Sequence, residues 1–465
     1  MKNYLALKLS CYCSLLWFGG NIYAQPVQPI NLTTYPIPFG AQKLKAVDIN
    51  NDRKTDLIVM SNAQETGFAT YYGNGDETFG LPQSYQKELN FVNFDVADLN
   101  NDGYMDLVLS SYWFNGFKTY FGDGNQQFLF SDSYDMGAHA TGVTISDIDN
   151  DGFLDVLGIT SGSGNPVTLN VFKGDKSGKL HSAGKYPTLL SGNLNTYVVD
   201  KNGDKLSDVI ISTRNWLALF YQQTNGEFLL KYWPLEMALV TIGDINDDKL
   251  PDMALGYTSY DLGSDGDSIL VRFGLPDTTF SAKPIKLLTY NLHPGSMHLA
   301  DLNHDKLPEL IISQLNTSGE KTDSLYIFRG LGNDGFEIQG IYKLPETING
   351  FTVADLKNDS FPEIILISEK NLMIMHNSGN ILSSSNSPDL NKAKIYPNPV
   401  SNWLFLDLPH AISDIRILDM YGHVHYVSKY TDSLKINIQP LPSGIYIVQG
   451  FQKDKLLIVR KIIKL

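Results

Sequence analysis

Asp98-Leu99-Asn100-Asn101-Asp102-Gly103-Tyr104-Met105-Asp106 runs straight into the apolar stretch Leu107-Val108-Leu109. Oxygen-bearing side chains stand at positions 1, 3, 5 and 9 of this nine-residue frame, a spacing that folds oxygens inward around a hard cation. The frame recurs as seven loops that begin at Asp48, Asp98, Asp147, Asp200, Asp244, Asp301 and Asp355, with gaps of 50, 49, 53, 44, 57 and 54 residues. A period of that length is the mark of a repeat architecture.

Each repeat shows the same internal plan. In the second, Asn93 to Ala97 reads as a strand, then the acidic loop, then Leu107 to Ser111, Phe117 to Phe121 and Gln127 to Tyr134 as three more. β-branched and aromatic residues fill these runs, and Gly, Asn and Asp separate them. The end of the third strand recurs as clearly as the loop, in Tyr71-Tyr72-Gly73, Tyr120-Phe121-Gly122 and Phe328-Arg329-Gly330, with a looser version in Phe172-Lys173-Gly174. A four-stranded antiparallel unit of this size cannot bury both faces alone, so the units stack radially. The expected fold is all-β: a seven-bladed β-propeller over residues 25–382, followed by a small C-terminal β-sandwich. After Asn377 the seventh repeat lacks an outer strand, and Thr33-Thr34-Tyr35-Pro36-Ile37, within residues 30–37, is expected to supply it and close the ring.

The loops differ as cation ligands. Asp98, Asn100, Asp102 and Asp106 form the second, and Asp147, Asp149, Asp151 and Asp155 the third, each with a glycine at position 6. Asp48, Asn50, Asp52 and Asp56, then Asp200, Asn202, Asp204 and Asp208, then Asp244, Asn246, Asp248 and Asp252 keep all four oxygens. They place Arg53, Lys205 or Lys249 where glycine fits a left-handed turn most easily. The sixth ends in a longer acid, after Asp301, Asn303 and Asp305 comes Glu309. In the seventh, Lys357 at position 3 removes a ligand and adds a repelling charge, so that loop is expected to hold metal weakly or not at all. Position 7 is mostly apolar (Tyr104, Phe153, Leu206, Leu250, Leu307, Phe361), which suits a main-chain carbonyl ligand. The expected cofactor is Ca²⁺ at several sites. Position 12 is Val, Leu, Gly or Ile in strand-like runs, where an EF-hand needs a glutamate entering a helix.

The acidic loop together with the Tyr-Phe-Gly-Asp-Gly hairpin resembles the FG-GAP/VCBS repeat family over about Ala41 to Leu382. That family includes the integrin α-subunit propeller and sugar-binding propellers of fungi and bacteria. The resemblance implies Ca²⁺ at loop positions 1, 3, 5 and 9 with a carbonyl at 7, and extracellular adhesion or recognition as the task. The tail, residues 393–465, carries Ile395-Tyr396-Pro397-Asn398-Pro399-Val400, Leu441-Pro442-Ser443-Gly444-Ile445-Tyr446 and a basic end with Arg460, Lys461 and Lys464. It resembles the C-terminal sorting domain of the type IX secretion system, which implies the secretion machinery as a partner and passage through the periplasm to the cell surface or beyond. Residues 383–392, rich in serine, read as a linker.

At the other end, residues 1–24 read as a secretory signal peptide, with Lys2 and Lys8 ahead of Ser14-Leu15-Leu16-Trp17-Phe18 and a cleavage site after Ala24. This apolar run is too short to span a membrane. The only two cysteines, Cys11 and Cys13, lie inside it, so the mature chain has no disulfide to lean on. A net charge of −14 repels phosphate backbones and argues against nucleic acid as a partner.

In such a blade the loops between the first and second strands emerge on one face and those between the second and third on the other. The second face carries Tyr112, Trp113, Arg214, Trp216, Tyr257 and Tyr260, candidates for contact with an extracellular glycan or a protein ligand. An alternative is a polysaccharide-degrading enzyme on the same scaffold, using His293, His298, Arg214 and Tyr257. No Gly-x-Ser-x-Gly elbow, His-Glu-x-x-His pair or phosphate loop occurs in the chain.

Overall fold

The computed structural model describes residues 32–379 and 394–465, except 39, 62–66, 86–90, 112, 114, 163–164, 193–194, 214, 236–238, 258–267, 277–278, 289–293, 315–323, 409–412, 420–423, 430–433 and 453–454. The signal peptide and the Ser-rich linker therefore lie outside the described residues, as do Tyr112, Arg214, Tyr260 and His293. The chain divides into two compact units, Met1–Ser378 and Gly379–Leu465.

The first unit holds seven four-stranded antiparallel sheets. Their inner strands are Lys43–Val47, Phe91–Ala97, Ala140–Ser146, Asn195–Val199, Leu239–Gly243, Pro294–Ala300 and Ile348–Ala354, which number the blades one to seven. Blade two continues outward through Asp106–Ser111, Gly116–Gly122 and Phe128–Asp135. Its second strand is buried at every position, whereas its outer strand is mostly exposed after Phe128. That difference explains the sequence pattern: a strand covered on both faces by neighbouring blades reads as a continuous apolar run, and one at the rim does not.

Each pair of neighbouring blades shares an apolar core. Ile58 and Met60 of blade one pack with Leu107 and Leu109 of blade two, and Val108 and Phe117 of blade two with Val156 and Phe172 of blade three. Leu157 and Ile159 meet Val209 and Ile211, Ile210 and Leu219 meet Met253 and Leu255, and Ala254 and Val271 meet Leu310 and Ile312. Blade six meets blade seven where the His298 ring lies 4.5 Å from that of Phe351. The circle is completed by Leu57 and Val59 of blade one against Ile365 and Ile367 of blade seven. This is a seven-bladed β-propeller. Blade seven takes its fourth strand from far away in the chain, since Leu32–Pro36 pairs antiparallel with Asn371–Met375.

The second unit is a β-sandwich. A three-stranded sheet of Lys394–Tyr396, Trp403–Asp407 and Leu434–Asn437 accompanies a four-stranded sheet of Val424–Lys429, Asp414–Asp419, Gly444–Gln452 and Lys455–Lys464. Leu404, Leu406 and Ile436 from the first share a core with Ile415, Ile417, Val448 and Ile462 from the second. No helix among the described residues is long and apolar enough to cross a membrane.

Candidate metal centres

Every acidic loop joins an inner strand to a second strand and is shaped by its own side chains. In loop two the Asp98 carboxylate accepts the N–H groups of Asp102 at 3.0 Å and Gly103 at 2.7 Å. Asn100 Oδ1 also accepts from Asp102 N–H at 2.9 Å, and Asp102 Oδ1 accepts from Tyr104 N–H at 2.9 Å. The same set recurs in loops one, four and five. Two backbone positions are left-handed in all seven loops. Position 6 is one, at Arg53, Gly103, Gly152, Lys205, Lys249, Lys306 and Ser360. Position 4 is the other, at Asn51, Asn101, Asn150, Gly203, Asp247, His304 and Asn358. Sequence reasoning recognised the first and missed the second, although Asn, Asp and Gly at position 4 are the residues that tolerate such a φ.

Position 9 does something the spacing alone does not reveal. Asp106 is fully buried; its Oδ2 accepts Leu99 N–H at 2.9 Å and its Oδ1 accepts Gly122 N–H at 3.0 Å. Asp56, Asp155, Asp208 and Asp252 make the equivalent pair, to position 2 of the loop and to the end of the third strand. The carboxylate is thus a strut between the acidic loop and the next hairpin. The glycine of the Tyr-Phe-Gly motif belongs to the same joint, because a Cβ on Gly122 would stand 2.4 Å from the Met105 carbonyl oxygen. Burial pushes the Asp106 carboxyl up to about 7 and those of Asp56, Asp208 and Asp252 up to about 6, against the pull of the two N–H donors. The glutamates differ. Glu309 Oε2 accepts Leu302 N–H and its Oε1 accepts from Asn303 Nδ2 at 3.0 Å, so its second oxygen returns to position 3 of its own loop.

Asp147, Asp149 and Asp151, at positions 1, 3 and 5 of loop three, place carboxylate oxygens within 4.8 Å of one another. Among the described residues this is the one group of three or more acidic, His or Cys side chains close enough to share a metal ion, and Asp155 is not part of it. The donor set fits a hard cation: all oxygen, mostly anionic and exposed to exchange.

Residues 48–109 and 98–158 match the family described as FG-GAP-like repeat, and residues 394–465 match the secretion system C-terminal sorting domain. The chain carries FG-GAP-like repeats and a type IX sorting domain. The sorting domain marks the protein as one exported by type IX secretion to the cell surface or the extracellular space, with the secretion machinery as its partner. No curated protein matches the chain. Three solved structures are similar in part. A lectin from Agrocybe aegerita, titled for recognition of non-reducing terminal N-acetylglucosamine, is 14% identical over 73% of this chain and 86% of its own, at a TM-score of 0.43. PorZ of Porphyromonas gingivalis, titled as a surface component of the type IX system, is 14% identical over 88% and 58%, at 0.40. A putative 6-phosphogluconolactonase from Bacteroides fragilis is 12% identical over 89% and 99%, at 0.47.

In acidic loops three and seven a lysine Nζ reaches in among the carboxylates. In loop three Lys173 Nζ lies 2.7 Å from Asp149 Oδ2 and 3.4 Å from Asp155 Oδ2. In loop seven Lys357 Nζ lies 2.8 Å from Glu77 Oε1, 3.0 Å from Glu363 Oε1 and 3.3 Å from Asp359 Oδ2, and donates to the Asn377 carbonyl. Glu77 belongs to blade one, so Lys357 also crosses the seam of the ring. Burial alone would lower the Lys357 ammonium, but Glu77 and Glu363 outweigh it and hold the ammonium above its ordinary value.

On the opposite face Trp113 is 67% exposed, and Trp216, 41% exposed, packs edge-on to Tyr232 at 6.4 Å. Tyr257 is corrected by the structure: it is 4% exposed and belongs to the core between blades four and five, because it extends the second strand Asp252–Tyr257 instead of starting a loop. His298 is corrected likewise. It lies inside the inner strand Pro294–Ala300, half-buried with its ring against Phe351, and desolvation pushes its imidazole down to about 4.

Proposed function

We propose that the propeller is a calcium-stabilised recognition module displayed at, or released from, the cell surface. Ca²⁺ is assigned to the loops between inner and second strands. The observation that carries this reading is the convergence of Asp147, Asp149 and Asp151, three like charges that the single Lys173 ammonium beside Asp149 only partly offsets. Positions 1, 3 and 5 supply its side-chain ligands, as Asp, Asn or Asp in loops one to six. Position 9 contributes by fixing the loop on the blade; in loop six Glu309 is also turned toward position 3.

Metal loops stiffen one face and leave the other to vary and bind. Trp113 and Trp216 there offer flat exposed apolar surface, which suits the apolar face of a sugar ring or a protein partner. An extracellular glycan or protein is therefore the proposed ligand.

Titration of Ca²⁺ into chelator-stripped protein tests the metal half by calorimetry, together with the melting temperature. Saturable uptake at several sites with a gain in melting temperature is expected, and neither occurring would refute it. A glycan array probed with the native chain and with Trp216→Ala tests the recognition half; equal signals from the two would remove Trp216 from the binding face.

A further inference from the structure

The inner strands of blades one to four line an open cavity of about 230 Å³ at the centre of the ring. Lys43 and Lys45 line it from blade one, Asn93 and Asp95 from blade two, Thr144 from blade three and Thr196 from blade four. Lys43 begins its strand, and the acidic loop follows the strand's other end, so the cavity faces away from the candidate metal centres.

Its charges do not balance. Asp95 is fully engaged: Oδ1 takes the Lys45 ammonium and Val96 N–H, and Oδ2 takes Ile145 N–H at 2.9 Å. The ammonium of Lys43, two residues before Lys45 and on the same side of the strand, forms no ion pair or hydrogen bond with any described residue. Blade seven, which packs on the other side of this strand, presents Ile348–Ala354, a segment without a titratable side chain. The cavity thus holds one positive charge more than negative. Asn93 Oδ1 is occupied by Phe94 N–H at 2.7 Å, which leaves its amide N–H₂ to the cavity beside the Thr144 and Thr196 hydroxyls. The volume lies below the ~300 to 1,000 Å³ of pockets that take drug-sized ligands, which suits one small ring.

We propose that this axial cavity binds a small monocarboxylic acid bearing hydroxyl groups, of the size of a single sugar acid. Lys43 holds the carboxylate, and Asn93, Thr144 and Thr196 hold the hydroxyls. The site is independent of the metal loops and of the exposed tryptophans. Burial, then the neighbouring Lys45 charge, pushes the Lys43 amine down to about 8, so its charge is present at neutral pH and lost in mild alkali.

The test is calorimetry or ligand-observed NMR on the full chain with D-glucuronate, D-galacturonate, D-glucose and inorganic phosphate. Saturable uronate binding is expected, with glucose at least about tenfold weaker and Lys43→Met weakening the uronate about tenfold. If Lys43→Met does not fold, the native chain still decides, since affinity for the uronate should fall about tenfold between pH 7 and pH 9 as the ammonium deprotonates. Glucose or phosphate binding as tightly as the uronates would overturn the proposal. So would an affinity unchanged by Lys43→Met or by the pH step, or no saturable uronate binding at all, which would make the cavity a water-filled channel.

Discussion

Asp106 receives two backbone N–H groups that belong to different segments of its blade, and no water reaches it. Its removal leaves both donors buried without an acceptor, each worth about 1 to 3 kcal/mol. Asp106→Ala should therefore lower stability by about 3 kcal/mol in urea unfolding, and by the same amount in chelator as in calcium. A loss seen only with calcium present would make this side chain a ligand first and a strut second. Lys173 poses the converse case, a resident cation beside the best-formed carboxylate group. Lys173→Gln should tighten calcium binding at loop three by about tenfold, read by calorimetry; unchanged affinity would mean that the ammonium swings clear when metal enters. Positions 1, 3 and 5 were legible in the sequence because oxygen spacing is a one-dimensional property. The strut was not, since Asp106 must meet Gly122 across a hairpin; nor was Lys173, nor the Glu77 partner of Lys357, because these contacts reach other strands or another blade, whereas the charge of Lys357 in loop seven was legible.

At the scale of the strand, the same sequence reading placed blade two's four strands within about two residues of where they lie, because turn residues punctuate them. It failed for Tyr257 and His298, which it placed on loops and which the structure places in strands: Tyr257 ends the second strand Asp252–Tyr257, buried throughout, and His298 lies within the inner strand Pro294–Ala300. The imidazole of His298 stays neutral inside its strand, whereas the unfolded chain protonates it near pH 6.5. Its contribution is complete above that pH and is lost as the pH falls toward 4, by up to about 3 kcal/mol. Replacement His298→Leu should flatten the fall in stability between pH 6.5 and 4 relative to the native protein; parallel curves would show that the ring charges without penalty.

For the molecule as a whole, the seam between blades one and seven is where the ring closes, and it is tied by strand pairing and by polar contacts. Leu32–Pro36 supplies the outer strand. Thr33 Oγ1 lies 2.7 Å from His376 Nε2, the other ring nitrogen of His376 meets Glu77 of blade one at 2.5 Å, and Lys357 joins the same glutamate. Tyr71 of blade one donates to the Pro36 carbonyl at 3.1 Å. Deletion of residues 32–37 should uncover the edge of Asn371–Met375, lower the melting temperature by several degrees and promote self-association. A synthetic peptide of those residues should restore the monomer in gel filtration, and a deleted chain that melts and elutes like the native one would show that the apolar seam alone suffices.

That borrowed strand also sets an order of events. The ring needs a segment near residue 32 and one near residue 375, and the address for export is written only after both, from residue 394 onward. A chain broken off anywhere inside the propeller lacks its address as well as its last blade. Completeness and passage out of the cell are thereby coupled by sequence order, and no truncated product can be shipped through this route.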